Sequence, residues 1–433
     1  MGLGLHGGGA GAARFFAKRG WRVTVTDLKS RRELAPSLKE LRGFSSIRYV
    51  LGQHRKKDFL GTDLIIKGAG ISWQHPLLAL ARKKNTPVES DVGIFFELCS
   101  APVIGVTGSK GKSTVASLIA SLLQKKYHHV FLAGNIRKSV FDILPYITKN
   151  SLVVLELSSW QLEDLARHKK SPHVAVITNI LREHLNKYKN FSAYARAKSL
   201  IVRFQKKNDY FVIHKNDAFI YRIVKKAVSR VIFFKKPPFR IANSRLLGAH
   251  NEENAAAALA VAKLYRIPPS KQRAAIREFG GLEGRLEFIV KKQGVEYYND
   301  TTATMPDATI VALRTLKLRT KGSIVLIAGG TDKKLDFRKL AKEIKKNVRV
   351  IVWLPGKATE KIKFEIRNSK FEKRIGQYNA KNMREAVTKA SKVAVAGDIV
   401  LLSPGAASFG LFQNEFERGE EFVRFVQKIR TRE

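Results

Sequence analysis

Gly105-Val106-Thr107-Gly108-Ser109-Lys110-Gly111-Lys112-Ser113 joins an apolar run to an amphipathic segment. The run, Pro102 to Thr107, reads as a strand buried on both faces. After Ser113 the apolar residues Val115, Leu118, Ile119, Leu122 and Leu123 fall on one helix face. Gly108 and Gly111 let backbone N–H groups turn inward around an anion. The helix N-terminus adds partial positive charge, Lys112 a point charge, and Ser113 a hydroxyl for Mg²⁺. With Ser109, Lys110 and Thr114, this stretch is a cradle for nucleotide phosphates. The spacing is not the standard phosphate loop: five residues, not four, separate Gly105 from Gly111. The alternative is a glycine turn in a chain where lysine is common everywhere. The order strand, loop, Gly-Lys-Ser and helix favours the cradle.

A phosphate cradle needs a metal. Glu156 ends the apolar run Leu152 to Leu157, where a carboxylate is costly unless something offsets its burial. Holding Mg²⁺ offsets it. His184 follows another strand end, Ile177-Thr178-Asn179. Such a histidine is ordinarily a surface or capping residue; near a phosphate loop it becomes a second candidate ligand.

Further buried-strand runs are Val23 to Thr26, Val174 to Thr178, Ile324 to Ala328, Val350 to Leu354 and Ile399 to Ser403. Helical patterns alternate with them, which predicts an α/β chain with parallel sheets. Three blocks suggest themselves: 1–98, 99–283 and 284–433. The third opens with a hairpin, Leu286 to Lys291 and Val295 to Tyr298, joined through Gln293-Gly294. The first carries Gly2-Leu3-Gly4-Leu5-His6-Gly7, with Asp27 at the next strand end, where a ribose or base is usually met.

The chain has 433 residues, with 80 Lys and Arg against 36 Asp and Glu, a formal charge of +44. The hydrophobic fraction, 44%, excludes a disordered chain. One cysteine, Cys99, excludes an internal disulfide framework and a cysteine-rich zinc site. No apolar run has the length to span a bilayer, and the N-terminus lacks the pattern of a secretory signal. The expectation is a soluble cytoplasmic protein without membrane insertion. The charge alone suggests nucleic acid, but the basic residues are scattered, with no aromatic-interleaved stripe. Nucleic acid is therefore not the expected partner.

These residues resemble the Mur ligases, ATP-dependent amide-bond-forming enzymes of peptidoglycan assembly. The carriers are Gly108 to Ser113 and, more discriminating, Leu155-Glu156-Leu157-Ser158-Ser159-Trp160-Gln161-Leu162, which is similar to the D-glutamate-adding branch. Gly134-Asn135-Ile136, His184-Leu185, Tyr194 to Lys198, His250 to Asn254, Asn299 to Thr304, Gly329 to Lys333 and Leu402 to Ser408 follow in the family's order. The resemblance implies three domains: a Rossmann-like N-terminal domain for a UDP moiety, a central P-loop ATPase with a parallel sheet, and a Rossmann-like C-terminal domain for the amino acid. It implies that ATP phosphorylates the carboxylate of UDP-N-acetylmuramoyl-L-alanine and that D-glutamate attacks the acyl phosphate.

It also implies roles. Lys112 and the loop amides hold the phosphates. Ser113 and Glu156 hold one Mg²⁺, and His184 helps hold a second. Lys198 matches a lysine that the family carries as a metal-binding carbamate. Asn251 and Asn254 lie at the base, Asp300 at the ribose, and Arg285 reaches the phosphates. Thr304, Lys333, Ser408 and Phe409 lie near D-glutamate. Asn135, Ser158 and Asp27 face the UDP-sugar substrate. The family implies a monomer.

Several positions depart from the family pattern. The chain begins at the glycine turn, so the strand that precedes such a turn is absent; a late start or a fragment is the expectation. Asp-His-x-Asp reads Glu183-His184-Leu185-Asn186, a histidine is replaced by Gly284, a lysine by Thr302 and a phenylalanine by Glu415. Ser-Pro-Gly-Ile reads Gly68-Ala69-Gly70-Ile71. Other readings are a related ligase using another amino acid, the folylpolyglutamate branch, a ligase-derived binding protein without turnover, and a basic P-loop nucleic-acid binder.

Overall fold

A computed structural model describes residues 1–5, 7–181, 188–215, 223–241, 245–246, 248–368 and 375–429. The chain divides into two compact units: 1–243 with 249–279, and 244–248 with 280–433.

At the heart of the first unit is a six-stranded sheet. Its strands are β5 (Val103–Thr107), β6 (Val130–Gly134), β7 (Leu152–Glu156), β8 (Val174–Ile177), β9 (Tyr210–His214) and β10 (Arg230–Phe234), in the order β10-β9-β8-β5-β7-β6. Every pair is parallel. β5, β7 and β8 are buried along their whole length, as continuous apolar runs in a two-sided sheet should be. The predicted helix is found as Lys112–Gln124.

The amino-terminal strands form two smaller parallel pairs: β1 (Val23–Asp27) with β2 (Ile47–Leu51), and β3 (Ile65–Lys67) with β4 (Val88–Ser90). β1 and β3 are joined by the first residues of the chain. The Met1 amino group donates to Ile66 O (2.8 Å), Gly68 N to Met1 O (2.8 Å) and Gly2 N to Thr26 O (2.8 Å). Among the described residues no ladder pairs β1 with β3. A cleft of about 1330 Å³ lies between them. Phe15, Val92 and Phe95 from this region bury into the same core as Phe141, Val153 and Leu155. Burying each phenylalanine contributes roughly 1.5–3 kcal/mol.

The second unit holds the other six-stranded sheet, β11-β12-β16-β13-β14-β15. The strands are β11 (Glu287–Lys292), β12 (Val295–Asn299), β13 (Ile324–Gly329), β14 (Val348–Leu354), β15 (Gly376–Asn379) and β16 (Ile399–Leu402). β11 and β12 are the predicted antiparallel hairpin and the other pairs are parallel. Gln293 and Gly294 turn it with φ of 50° and 75°, the left-handed pair that a two-residue hairpin needs. Separate apolar clusters cover the sheet's two faces: Leu326 and Trp353 belong to one, Ile327 and Val352 to the other. No helix among the described residues is long and apolar enough to cross a membrane.

Candidate functional site

In the first unit the polar residues gather at the carboxyl ends of the strands, where open α/β sheets bind ligands. The glycine loop follows β5. Gly108 has φ 149° and Gly111 φ 81°. A Cβ on Gly108 would meet Thr178 Oγ1 at 1.9 Å, and one on Gly111 would meet Asn254 Oδ1 at 2.1 Å. Both glycines are thus required by conformation and by space.

The loop is braced from the end of β8. Ser109 N donates to Asn179 O (2.9 Å) and Lys110 N to Asn179 Oδ1 (2.9 Å). Thr178 Oγ1 and Asn179 Nδ2 both donate to Lys110 O (2.6 and 3.1 Å). Lys112 Nζ reaches across to Ser109 O (3.0 Å), and Ser113 and Thr114 occupy the first helical turn. Sequence reading passed over Thr178 and Asn179 as braces. Their signal was present: two polar residues ending an otherwise apolar strand.

Glu156 lies on the neighbouring strand, paired with Val106 of β5 and only 2% exposed. Asn135 Nδ2 donates to its Oε1 (3.0 Å). Its Oε2 is buried without a hydrogen-bond partner. Such an orphaned carboxylate oxygen is costly unless a donor or cation meets it, and carboxylate and hydroxyl oxygens are the hard donors that Mg²⁺ takes. Lys198 is 2% exposed, although a lysine on a helix ordinarily points to water. Its Nζ lies 4.8 Å from the Tyr194 ring centre, and Tyr194 OH meets Ser109 Oγ at 3.2 Å. Lys198 therefore connects to the loop through one side chain. Asn254 Nδ2 donates to Asn251 Oδ1 (3.0 Å), which fixes this pair against Gly111. His184, Glu183 and Asn186 lie outside the described residues. Among the described residues no three His, Cys, Asp or Glu side chains form a metal cluster.

Asp27, Asn135 and Ser158, distant in sequence, all line the large cleft. Asp27 Oδ2 accepts from Gly4 N (3.0 Å) and Oδ1 from Lys29 N (2.9 Å), so it shapes the glycine turn. Ser158 caps the Ser159–Arg167 helix through a capping box with Gln161. Asn135 belongs to both places, since it lines the cleft and bonds Glu156.

The second unit carries its own polar group, again beyond strand ends. Asp300, after β12, accepts from Ser403 Oγ (2.7 Å) and Leu286 N (3.2 Å), next to exposed Arg285. Burial pushes the Asp300 carboxyl up to about 7. Lys333 Nζ lies 5.6 Å from the Phe409 ring centre. Thr331 Oγ1 donates to Phe409 O, and Ser408 Oγ beside it is buried without a hydrogen-bond partner. Thr304 sits in the loop after β12, which Gly405 N ties to Ala303 O (2.9 Å).

Sequence reading missed Arg418. Its guanidinium is fully buried and donates to Thr301 Oγ1 (3.1 Å), Thr301 O (2.7 Å) and Ala406 O (3.1 Å), clamping the loops after β12 and β16. Desolvation lowers it to about 10. Nothing in its helical sequence context distinguishes it from the other arginines.

Two departures from the family pattern lie in contact. Gly284 has φ 66°, and a Cβ there would lie 2.7 Å from Thr301 Cγ2 and 3.3 Å from Thr302 Cγ2. Thr302 Oγ1 donates to Gly284 O (2.8 Å). Glycine at 284 is thus required by its left-handed backbone and chiefly by Thr301, while Thr302 bonds its carbonyl.

Three family models match the chain: a Mur ligase MurD-like N-terminal domain over 1–90, a Mur ligase middle domain over 106–240, and a Mur ligase glutamate ligase domain over 284–405. A UDP-N-acetylmuramoylalanine–D-glutamate ligase of Roseiflexus sp. (strain RS-1) is 39% identical, covering 99% of this chain and 98% of the relative. One of Borreliella burgdorferi (strain ZS7) is 37% identical over 99% and 97%. Among solved structures, the UDP-N-acetylmuramate–alanine ligase of Thermotoga maritima has a TM-score of 0.66 at 19% identity, covering 99% of this chain and 98% of that one. That likeness carries the fold alone. Together with the glycine loop, Glu156 and the three matched domains, the full-length identities show that this chain belongs to the Mur ligase family.

Proposed function

We propose that the chain is an ATP-dependent ligase that joins D-glutamate to UDP-N-acetylmuramoyl-L-alanine in peptidoglycan precursor synthesis. The observation that carries this reading is Asn135, which lines the cleft and also hydrogen-bonds the metal-suited carboxylate of Glu156. The cleft and the metal-suited carboxylate therefore meet at one side chain. The relatives named above carry this activity in their names.

The chemistry is charge neutralisation and positioning. Gly108, Ser109, Lys110, Gly111 and Lys112 cradle the ATP phosphates, and the helix N-terminus stabilises the charge that builds during transfer. The γ-phosphoryl group passes to the substrate carboxylate, forming an acyl phosphate and ADP. The D-glutamate amine attacks the acyl carbon, and phosphate leaves from the tetrahedral intermediate. Asp27, Asn135 and Ser158 orient the UDP-sugar substrate. Thr304, Lys333, Ser408 and Phe409 orient D-glutamate, and Asn251, Asn254, Arg285 and Asp300 hold the nucleotide.

Ser113 and Glu156 are the ligands we assign to one Mg²⁺, which when bound neutralises phosphate charge. We assign His184 and a carbamylated Lys198 to a second. An unmodified ammonium cannot ligate a cation, so this role requires the carbamylated, anionic form of Lys198. The enzyme is a cytoplasmic monomer.

Omitting components tests the reading. Phosphate release should require UDP-N-acetylmuramoyl-L-alanine, Mg²⁺ and an amino acid together. Equal release with the UDP-sugar omitted would refute it.

A further inference from the structure

Lys67 ends β3 and is almost completely buried, 1% exposed. Its ammonium donates to both oxygens of Asp164, Oδ1 at 2.7 Å and Oδ2 at 2.9 Å, and to Gly68 O at 3.3 Å. Trp73 completes the pocket: its Nε1 donates to Asp164 Oδ1 (2.6 Å), and its ring centre lies 5.0 Å from Lys67 Nζ. A buried ion pair adds little stability on average, because desolvation cancels much of the attraction. Its placement is therefore informative.

The two partners come from different segments beside the cleft: Lys67 lines it, and Asp164 sits on a helix whose cap lines it. Lys67 leads into Gly68-Ala69-Gly70-Ile71, a turn with two glycines and no proline to stiffen it. That turn packs on the glycine turn at the start of the chain. Gly68 N donates to Met1 O, and a Cβ on Gly68 would meet Gly2 O at 3.0 Å. Asp164 lies on the Ser159–Arg167 helix, whose cap Ser158 lines the cleft just after Glu156. The bond thus ties this turn to the element that follows the metal-suited carboxylate.

We infer that Lys67 is a positioning residue: through Asp164 it holds the Gly68–Ile71 turn in register with the Asn135 and Ser158 side of the cleft, so that the UDP-sugar substrate presents its carboxylate to ATP. The inference rests on the substrate reading of the cleft given above. Small misplacements of a bound reactant cost large factors in rate, which gives such a tether a purpose beyond stability.

The test measures binding of UDP-N-acetylmuramoyl-L-alanine by calorimetry, and its KM, in wild type, Lys67→Met and Lys67→Met/Asp164→Leu. Lys67→Met should weaken binding and raise KM for this substrate by about tenfold or more, with KM for ATP within about twofold of wild type. The double variant removes the orphaned carboxylate and should recover the melting temperature, yet keep the raised KM. If Lys67→Met does not fold, the double variant alone decides. Recovery of both melting temperature and KM would make the pair merely structural and overturn the inference, as would wild-type affinity in Lys67→Met. If the wild-type protein itself fails to bind the UDP-sugar, the cleft reading falls first and the inference falls with it.

Discussion

Asn135 Nδ2 donates to Glu156 Oε1 at 3.0 Å, while the carboxylate's other oxygen stays buried and unpartnered. The amide therefore orients the carboxylate and leaves one oxygen for a cation. Groups that orient a metal ligand typically matter by about 10- to 100-fold in metal affinity or activity. Asn135→Ala should raise the Mg²⁺ concentration for half-maximal phosphate release by about that factor. A Mg²⁺ titration checks it; an unchanged midpoint would leave Asn135 with the substrate alone.

Lys112→Ala should abolish phosphate release, since its ammonium already reaches across the loop to Ser109 O. Lys198→Ala should cripple release and be partly restored by added short carboxylic acids, which replace the carbamate's anionic oxygens. Rescue by chloride at equal ionic strength would exclude that explanation.

Gly284→Ala forces a side chain into φ 66° and puts its Cβ 2.7 Å from Thr301 Cγ2. The left-handed backbone costs about 1–3 kcal/mol, and the clash adds to it. Adding Thr301→Ser removes the methyl but keeps the hydroxyl that bonds Glu415 O and Arg418. The pair should therefore recover part of the loss. Denaturant unfolding of both variants measures this, and no loss in Gly284→Ala would contradict the account.

The Asp300 carboxyl is pushed from 3.8 to about 7 by burial. Between these values the unfolded chain has released the proton that the folded protein still holds. Stability contributed by this group is thus greatest below about pH 4 and falls as pH rises towards 7. Asp300→Asn should flatten that fall, so the variant should gain on wild type between pH 4 and 7. Paired unfolding curves at pH 4.5 and 7 test it; a constant gap would refute the sign.

Much of this arrangement was legible along the chain. Gly108 to Ser113 carries a local pattern, because loop, glycine and helix are consecutive. The Gln293-Gly294 hairpin was legible for the same reason. Long-range partners were not. Lys67 and Asp164 are 97 residues apart and sit among many other charges. Lys198 came only from resemblance; its burial depends on packing against Tyr194, which periodicity cannot reveal. The strands β2, β3, β4, β6, β9, β10 and β15 were missed; β3 and β4 are three residues long and give little alternation to read. The +44 charge, the loudest compositional signal, told least about the site, which uses few of those cations.

Product formation tests the central claim most directly. The protein is incubated with UDP-N-acetylmuramoyl-L-alanine, ATP, Mg²⁺ and one amino acid at a time, and the nucleotide product is weighed by mass spectrometry. The account predicts a product heavier by one glutamyl residue with D-glutamate, with ADP and phosphate released in equal amounts. No added residue with D-glutamate, or an equal yield with L-glutamate, would contradict it.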